Sequence, residues 1–183
     1  LKFHIRLNAS TVNPALVNKL KVFFLPLGVL ILDQISKLWV KANYVSHIPV
    51  NILGDYLRIT FCENPGIAFG IRVGPFQMVI TFLSFIIAGV VTMYLYRERN
   101  SHIAIKVALG LILGGALGNL VDRTLMIFNP ESYRGVIDFI DVGLSNELRW
   151  YVFNIADSSV TCGIILYLIY SYFIEKKLEI QAV

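Results

Sequence analysis

The sequence predicts an all-α membrane protein, with four transmembrane helices, a small extracytoplasmic β element and a lid-like outer loop. Hydrophobic residues make up 56% of the 183 residues and charged residues only 15%, whereas a soluble domain has about 25% charged residues. Such a chain has too few polar side chains to cover a surface exposed to water. Four long apolar segments, separated by polar connections, complete the prediction.

Each apolar segment has the length that a bilayer requires, because crossing about 30 Å of hydrocarbon takes about 20 mostly apolar helical residues. The predicted spans are about 22–40, 76–96, 103–121 and 155–174. Hydrophobic segments continue toward the C-terminus, so the first span is interpreted as permanent rather than as a cleaved signal peptide. The chain is therefore predicted to be a single integral membrane domain over 1–183.

The lysine and arginine residues predict the orientation, since positively charged short loops remain in the cytoplasm. Nine such residues would lie on one side of the membrane: Lys2, Arg6, Lys19, Lys21, Arg97, Arg99, Lys106, Lys176 and Lys177. Both termini are then expected in the cytoplasm. The long connections 42–75 and 122–154 are expected on the outer side.

The first outer connection has the pattern of a small β element, at about 45–75. Residues 56–62 alternate in the period of two that is typical of a strand. Asn64-Pro65-Gly66 supplies a turn, after which 67–71 is predicted to return as a second strand. The second outer connection, 122–154, is predicted to be a loop that contains an apolar segment at 136–141.

The ionisable residues of the membrane region all fall near the outer boundary. They are Asp33, Lys37, Asp122, Arg123 and Asp157. An ionisable group at membrane depth is costly unless it is paired or hydrated, so such residues indicate function by default. One site at the outer interface is therefore predicted.

Some of these residues also have structural interpretations. Asp33 and Lys37 are spaced i, i+4 and can form a local ion pair, which is the interpretation we favour. Asp122 is expected to end span three, where an acid opposes the helix dipole unless it is paired, so we assign it to structure.

Span three carries two stripes of residues at helical spacing. Gly110, Gly114 and Gly118 are four residues apart, and small residues at that spacing let helices pack closely. Asn119 and Arg123 lie one turn apart on the other stripe. Both a structural hydrogen-bond network and direct substrate contact are open for this pair.

Two further aspartates suggest acid–base chemistry. Asp157 follows a potential helix cap, Asn154, and capping alone could explain it. Asp138, however, lies between Ile137 and Phe139 in the apolar outer segment, where we see no reason from folding for an acid. Two neighbouring carboxylates share a proton and can activate water without a metal or cofactor. The spacing alone does not show that the two aspartates meet.

The motifs resemble those of bacterial lipoprotein signal peptidase, the signal peptidase II family. They are DQISK (33–37), NPGIAF (64–69), GNLVDR (118–123), VIDF (136–139) and FNIADS (153–158), and the resemblance covers nearly all of 22–175. It implies an aspartic endopeptidase of the bacterial inner membrane that needs no metal or cofactor. The implied substrates are prolipoproteins with a diacylglyceryl-modified cysteine, cut just before that cysteine at the outer face.

Carried onto this chain, the resemblance implies that Asp138 and Asp157 are the catalytic pair. The implied residues that bind substrate or support the site are Asn64, Gly66, Asn119, Asp122, Arg123, Asn154, Ala156, Asp33 and Lys37. We expect a monomer that contacts membrane lipids and prolipoproteins but not nucleic acid. The alternative is a small proton-coupled carrier or scaffold that uses the outer acids, although no inverted repeat or midplane acid is present.

Overall fold

The computed structural model describes residues 19–66 and 74–175, apart from the side chains of 75, 174 and 175. The returning strand predicted at 67–71 lies outside the described residues. So do four of the nine residues on which the predicted orientation rests, namely Lys2, Arg6, Lys176 and Lys177.

Four helices make up the membrane part of the described residues. They are α1 (Phe24–Asn43), α2 (Gln77–Arg97), α3 (Ile103–Phe128) and α4 (Ile155–Ile169), with 3-10 turns at Lys21–Phe23, Gly74–Phe76 and Glu98–Asn100 and a π-helical turn at Tyr170–Glu175. Together with the adjoining turns, each helix is long and apolar enough to cross a bilayer. Phe24, Phe82 and Leu168 are each at least 60% exposed, as expected for side chains that face lipid. The predicted four-span architecture is confirmed.

Small residues allow the other helices to pack closely against α3. A Cβ atom added to Gly114 would lie 2.6 Å from the Cβ of Val29 in α1. On the other side, a Cβ atom added to Gly163 of α4 would lie 2.7 Å from the carbonyl oxygen of Ala108. Both distances are too short for real atoms, so the close approach depends on glycine. The packing role predicted for the glycine stripe of span three is confirmed.

Helix α3 continues well beyond the predicted end of span three at 121. It ends at Phe128, just before Asn129 and Pro130. A proline disfavours helical backbone at the preceding residue, which explains why the helix ends there. Asp122 consequently lies in the interior of α3, and the interpretation that placed it at a helix end against the dipole is wrong.

Among residues 19–66 and 74–175, three strands form an antiparallel sheet, in the order β1-β2-β3, at one end of the bundle. Its strands are β1 (Pro49–Leu53), β2 (Leu57–Asn64) and β3 (Val136–Val142). The alternating segment at 56–62 forms most of β2. The apolar segment at 136–141, predicted only as part of a loop, forms β3. This end of the molecule is called the sheet end below.

Apolar packing seats the sheet on α1. Val40 of α1 forms a buried cluster with Phe61 of β2 and with Ile137 and Phe139 of β3. A polar contact adds to this packing, because Lys41 Nζ lies 2.8 Å from Glu63 Oε1 and 3.9 Å from the centre of the Tyr133 ring. Strand β3, which carries Asp138, is thereby held against the membrane helices.

Candidate active site

Asp157 is positioned by the beginning of α4. Asn154 is the N-cap, and its Oδ1 accepts a hydrogen bond of 2.8 Å from the backbone N–H of Asp157. In return, Asp157 Oδ2 accepts the N–H of Asn154 at 3.2 Å, which completes a capping box. The other oxygen, Oδ1, accepts a hydrogen bond of 2.8 Å from the amide of Asn119. The predicted capping role of Asn154 is confirmed, and Asp157 has contacts beyond the cap.

Asp138 is held by the same asparagine. It lies on β3 and is only 3% exposed. Its Oδ1 accepts a hydrogen bond of 2.7 Å from Nδ2 of Asn154, and its Oδ2 accepts one of 3.2 Å from Nδ2 of Asn64. Asn154 therefore binds the Asp138 carboxylate with its side-chain nitrogen and the Asp157 carboxylate with its backbone N–H. The two aspartates, 19 residues apart in the sequence, are brought together across one residue.

The surroundings of Asp138 favour its protonated form. Burial away from water, followed by the negative charge of Asp157, raises the pKa of Asp138 to about 7. Hydrogen bonds from Asn64 and Asn154 to the ionised form oppose this shift but are outweighed. Asp138 can therefore carry a proton at neutral pH.

A buried charge cluster, formed by Asp33, Lys37 and Asp122, lies next to the aspartates. Lys37 Nζ is 2.8 Å from a carboxylate oxygen of Asp33 and 2.8 Å from one of Asp122, and all three side chains are at most 1% exposed. Lys37 also donates a hydrogen bond of 3.0 Å to Asn119 Oδ1. The predicted Asp33–Lys37 ion pair is confirmed, and Asp122 extends it from α1 to α3.

The charge cluster is connected to both elements that carry the aspartates. Asp33 Oδ1 accepts the backbone N–H of Ala156, in the first turn of α4, at 2.9 Å. Asp122 Oδ2 accepts the backbone N–H of Ile137, the residue before Asp138, at 3.2 Å. The positions of the two aspartates therefore depend on the carboxylates that bind the buried Lys37.

Arg123 and Gly66 complete the set of residues named from the sequence. The charge of Arg123 acts on Asp157, Asp122 and Asp138, and within the described part of the chain its buried Nε has no hydrogen-bond partner. The N–H of Gly66 donates a hydrogen bond of 2.9 Å to Asn64 Oδ1, which orients that amide toward Asp138. The structure gathers every predicted site residue in one place, while their catalytic roles stay predictions.

Gln34 was not identified from the sequence. Its Nε2 lies 3.1 to 3.2 Å from Asp33 Oδ2, the carbonyl oxygen of Gly118 and Asp122 Oδ1, so it links α1 to α3 beside the charge cluster. The sequence did contain a signal for Gln34: it is an amide side chain inside a membrane span, between the two charged residues of the DQISK motif.

Cys62 was also not identified as a neighbour of the site. It lies directly across from Asp138 in the pairing of β2 with β3. Burial, and then the negative charges of Asp138 and Asp141, raise the pKa of its thiol to about 12. A thiol that stays protonated is a poor nucleophile, so the position next to Asp138 does not favour cysteine protease chemistry.

The arrangement suits water activation by two carboxylates. The nearby serine, Ser158, donates its hydroxyl hydrogen to the carbonyl oxygen of Asn154 at 2.9 Å. The neighbouring lysine, Lys37, is bound by two carboxylates. Neither is placed to form the nucleophile–base pair that a serine hydrolase requires. A protonated carboxyl beside an ionised one instead provides both an acid and a base.

The chain is similar to known lipoprotein signal peptidases and to a bacterial membrane enzyme of known structure. The lipoprotein signal peptidase of Syntrophus aciditrophicus is 36% identical over 141 residues, covering 75% of this chain and 83% of that protein. That of Syntrophomonas wolfei is 41% identical over 145 residues, covering 77% and 85%. A bacterial membrane enzyme solved at 1.9 Å is 29% identical, with a TM-score of 0.65 over 84% of this chain and 93% of that one.

The family profile described as signal peptidase (SPase) II matches residues 25–173. The match begins in α1 and ends beyond α4, so it includes all four spans, the sheet and both aspartates. The chain therefore belongs to the signal peptidase II family.

Proposed function

We propose that the protein cleaves the signal peptides of diacylglyceryl-modified prolipoproteins just before the modified cysteine, with Asp138 and Asp157 as the catalytic pair. The observation that carries the proposal is that Asn154 binds both carboxylates at once, at the end of a membrane bundle. Its side-chain Nδ2 donates to Asp138 Oδ1 at 2.7 Å, and its backbone N–H donates to Asp157 Oδ2 at 3.2 Å. A signal peptide is itself a membrane-spanning helix, so its cleavage point would reach the protein at this depth.

The proposed mechanism uses one water molecule and one shared proton. Ionised Asp157 takes a proton from the water molecule as the water oxygen bonds to the carbonyl carbon. At the same time, Asp138 donates its proton to the carbonyl oxygen. When the tetrahedral intermediate collapses, Asp157 gives its proton to the leaving amine. Asp138 recovers its proton from the hydroxyl as the new carboxyl group forms. The two groups titrate as a coupled pair.

Arg123 is proposed to bind the peptide backbone of the substrate. Its charge lies near both aspartates, and its buried Nε is without a hydrogen-bond partner in the described residues. A guanidinium with a free donor can hold a carbonyl oxygen beside the reacting bond. Strands β2 and β3 pair with each other in antiparallel orientation next to Asp138. They would hold the peptide in extended form.

An apolar groove is proposed to bind the lipid part of the substrate. It has a volume of about 340 Å³ and lies between α1, α2 and α3, lined by Leu30, Phe85, Leu117, Leu120, Val121, Thr124 and Leu125. These α3 residues are within one turn of Asn119 and Arg123. The acyl chains of a diacylglyceryl group would therefore lie within reach of the catalytic pair.

The first prediction concerns the catalytic pair. Asp138→Asn and Asp157→Asn keep the side-chain size but abolish proton exchange, so each should lower the cleavage rate about 100- to 10,000-fold. The double variant should lose little more, because the two residues act as a unit. The measurement is the size shift of a purified diacylglyceryl-modified prolipoprotein, with the melting temperature as the folding control.

Asp141→Asn is the matched control for that experiment. Asp141 lies on the same strand and is also buried, but it binds Arg149 at 2.6 Å rather than the site. This variant should retain cleavage even where it lowers the melting temperature. Near-normal cleavage by a well-folded Asp138→Asn or Asp157→Asn protein would contradict the mechanism.

The second prediction separates Asp122 from Asp138. Asp122→Asn should weaken the ion pair with Lys37 and the bond to the Ile137 N–H, at a cost of about 1–3 kcal/mol in stability. Cleavage should fall only in part, because the catalytic pair is intact. Asp55→Asn, at an ion pair whose carboxylate is exposed, should leave both quantities nearly unchanged. Complete loss of cleavage at an unchanged melting temperature would assign catalysis to Asp122.

The third prediction is the dependence on pH. The pKa of Asp138 is raised to about 7, so Asp138 is protonated below this pH and loses its proton above it. Cleavage should therefore fall as the pH rises through about 7, approaching about tenfold per pH unit. Asn64→Leu removes a hydrogen bond that favours ionised Asp138, so the fall should move to higher pH. A shift to lower pH would contradict the assignment of Asp138 as the acid.

The fourth prediction is the orientation. We propose that the sheet end faces outward from the bacterial inner membrane and that both termini are cytoplasmic, because Lys19, Lys21, Arg97, Arg99 and Lys106 lie at the other end of the helices. The test uses a protein in which Cys62 and Cys162 are replaced by serine. In cells whose outer membrane has been permeabilised, an impermeant thiol reagent should react with Ser46→Cys and Ser145→Cys. Asn100→Cys should not react. The reverse pattern would invert the proposed orientation.

A further inference from the structure

A cavity unrelated to the aspartates lies at the end of the bundle opposite the sheet. It has a volume of about 310 Å³ and is formed where the chain enters α1 and where α2 passes into α3. Its wall has two parts. Three residues are cationic, namely Lys21, Arg99 and Lys106, and four are aliphatic, namely Val22, Leu25, Ile103 and Val107.

The cationic part of the wall is not neutralised within the described residues. There, none of Lys21, Arg99 and Lys106 forms a salt bridge. Arg99 donates one hydrogen bond, of 2.7 Å, to the carbonyl oxygen of Tyr96 and lies over that ring. Glu98, the neighbouring acid, instead accepts a hydrogen bond from the hydroxyl of Ser101. These three cations come from three segments of the chain and line one cavity. Together they can bind an anion there.

The aliphatic part of the wall indicates what kind of anion would fit. Leu25 and Ile103 remain 37% and 63% exposed at the start of α1 and α3, at a level where a bilayer has its headgroups and first methylene groups. A free anion gains nothing from such a surface. A phospholipid would place its phosphate among the cations and its acyl chains along the aliphatic side chains. Basic pockets between transmembrane helices recognise anionic headgroups in this way.

We propose that this cavity binds one anionic glycerophospholipid, such as phosphatidylglycerol, from the leaflet opposite the sheet end. The lipid phosphate is bound by Lys21, Arg99 and Lys106, and the acyl chains pack on Leu25 and Val107. The bound lipid ties the start of α1 to the start of α3. The site is independent of the proposed catalytic pair, from which it is separated by the length of the bundle.

The test measures binding of phosphatidylglycerol to the purified full chain in neutral detergent, by native mass spectrometry. Lys21→Gln/Lys106→Gln should lower the affinity by about tenfold or more, because each basic group near an anionic lipid contributes substantially. The matched control, Lys19→Gln/Arg97→Gln, makes the same charge change on exposed residues at the same end but outside the cavity. It should retain the affinity of the parent protein within about twofold.

A steric variant makes the test independent of charge. Val107→Phe fills the cavity without altering its charge and should also weaken binding, with the melting temperature in lipid-free detergent as the folding check. Equal losses in the cavity variant and its control would overturn the proposal in favour of diffuse surface attraction. Equal binding of phosphatidylcholine would overturn it too. So would full displacement of the lipid by inorganic phosphate, which would indicate a site for the free anion.

Discussion

The buried ammonium group of Lys37 is the constraint on which the site depends. A charge removed from water is tolerated only when it is fully paired, and Lys37 obtains this pairing from Asp33 on its own helix and Asp122 on α3. The pairing requires α1 and α3 to meet in one register. Gly118 allows that register, since a Cβ atom there would lie 2.5 Å from the Asp33 carboxylate.

The same cluster determines where the two aspartates meet. The second carboxylate oxygen of Asp33, which does not bind Lys37, accepts the backbone N–H of Ala156. In Asp122, the oxygen that binds Lys37 also accepts the backbone N–H of Ile137. One of these two N–H donors precedes Asp157 and the other precedes Asp138. Elements that are distant in sequence are therefore bound to the same charge cluster. This cluster holds the two aspartates close, so they need no direct bond to each other.

The two carboxylates differ because their surroundings differ. Asp157 lies at the N-terminus of α4 and accepts a backbone N–H, both of which stabilise a negative charge. Asp138 is enclosed between a sheet and the bundle, where burial penalises its charge. Environments of this kind can give two identical side chains the roles of acid and base, as the proposed mechanism requires. The chain belongs to a family of membrane aspartic peptidases, which supports the proposal that carboxylates carry out the reaction.

Features encoded by neighbouring residues were predictable from the sequence. The spans, the strand at 56–62, the helix cap at Asn154 and the anomaly of Asp138 in an apolar segment each depend on local periodicity or composition. The tertiary structure alone decided the pairing of β3 with β2, the bond between Lys37 and Asp122, and the position of Cys62 opposite Asp138. Such contacts join residues far apart in the chain, and packing selects them. A local pattern records that a side chain is unusual, but its partner is determined by the folded surroundings.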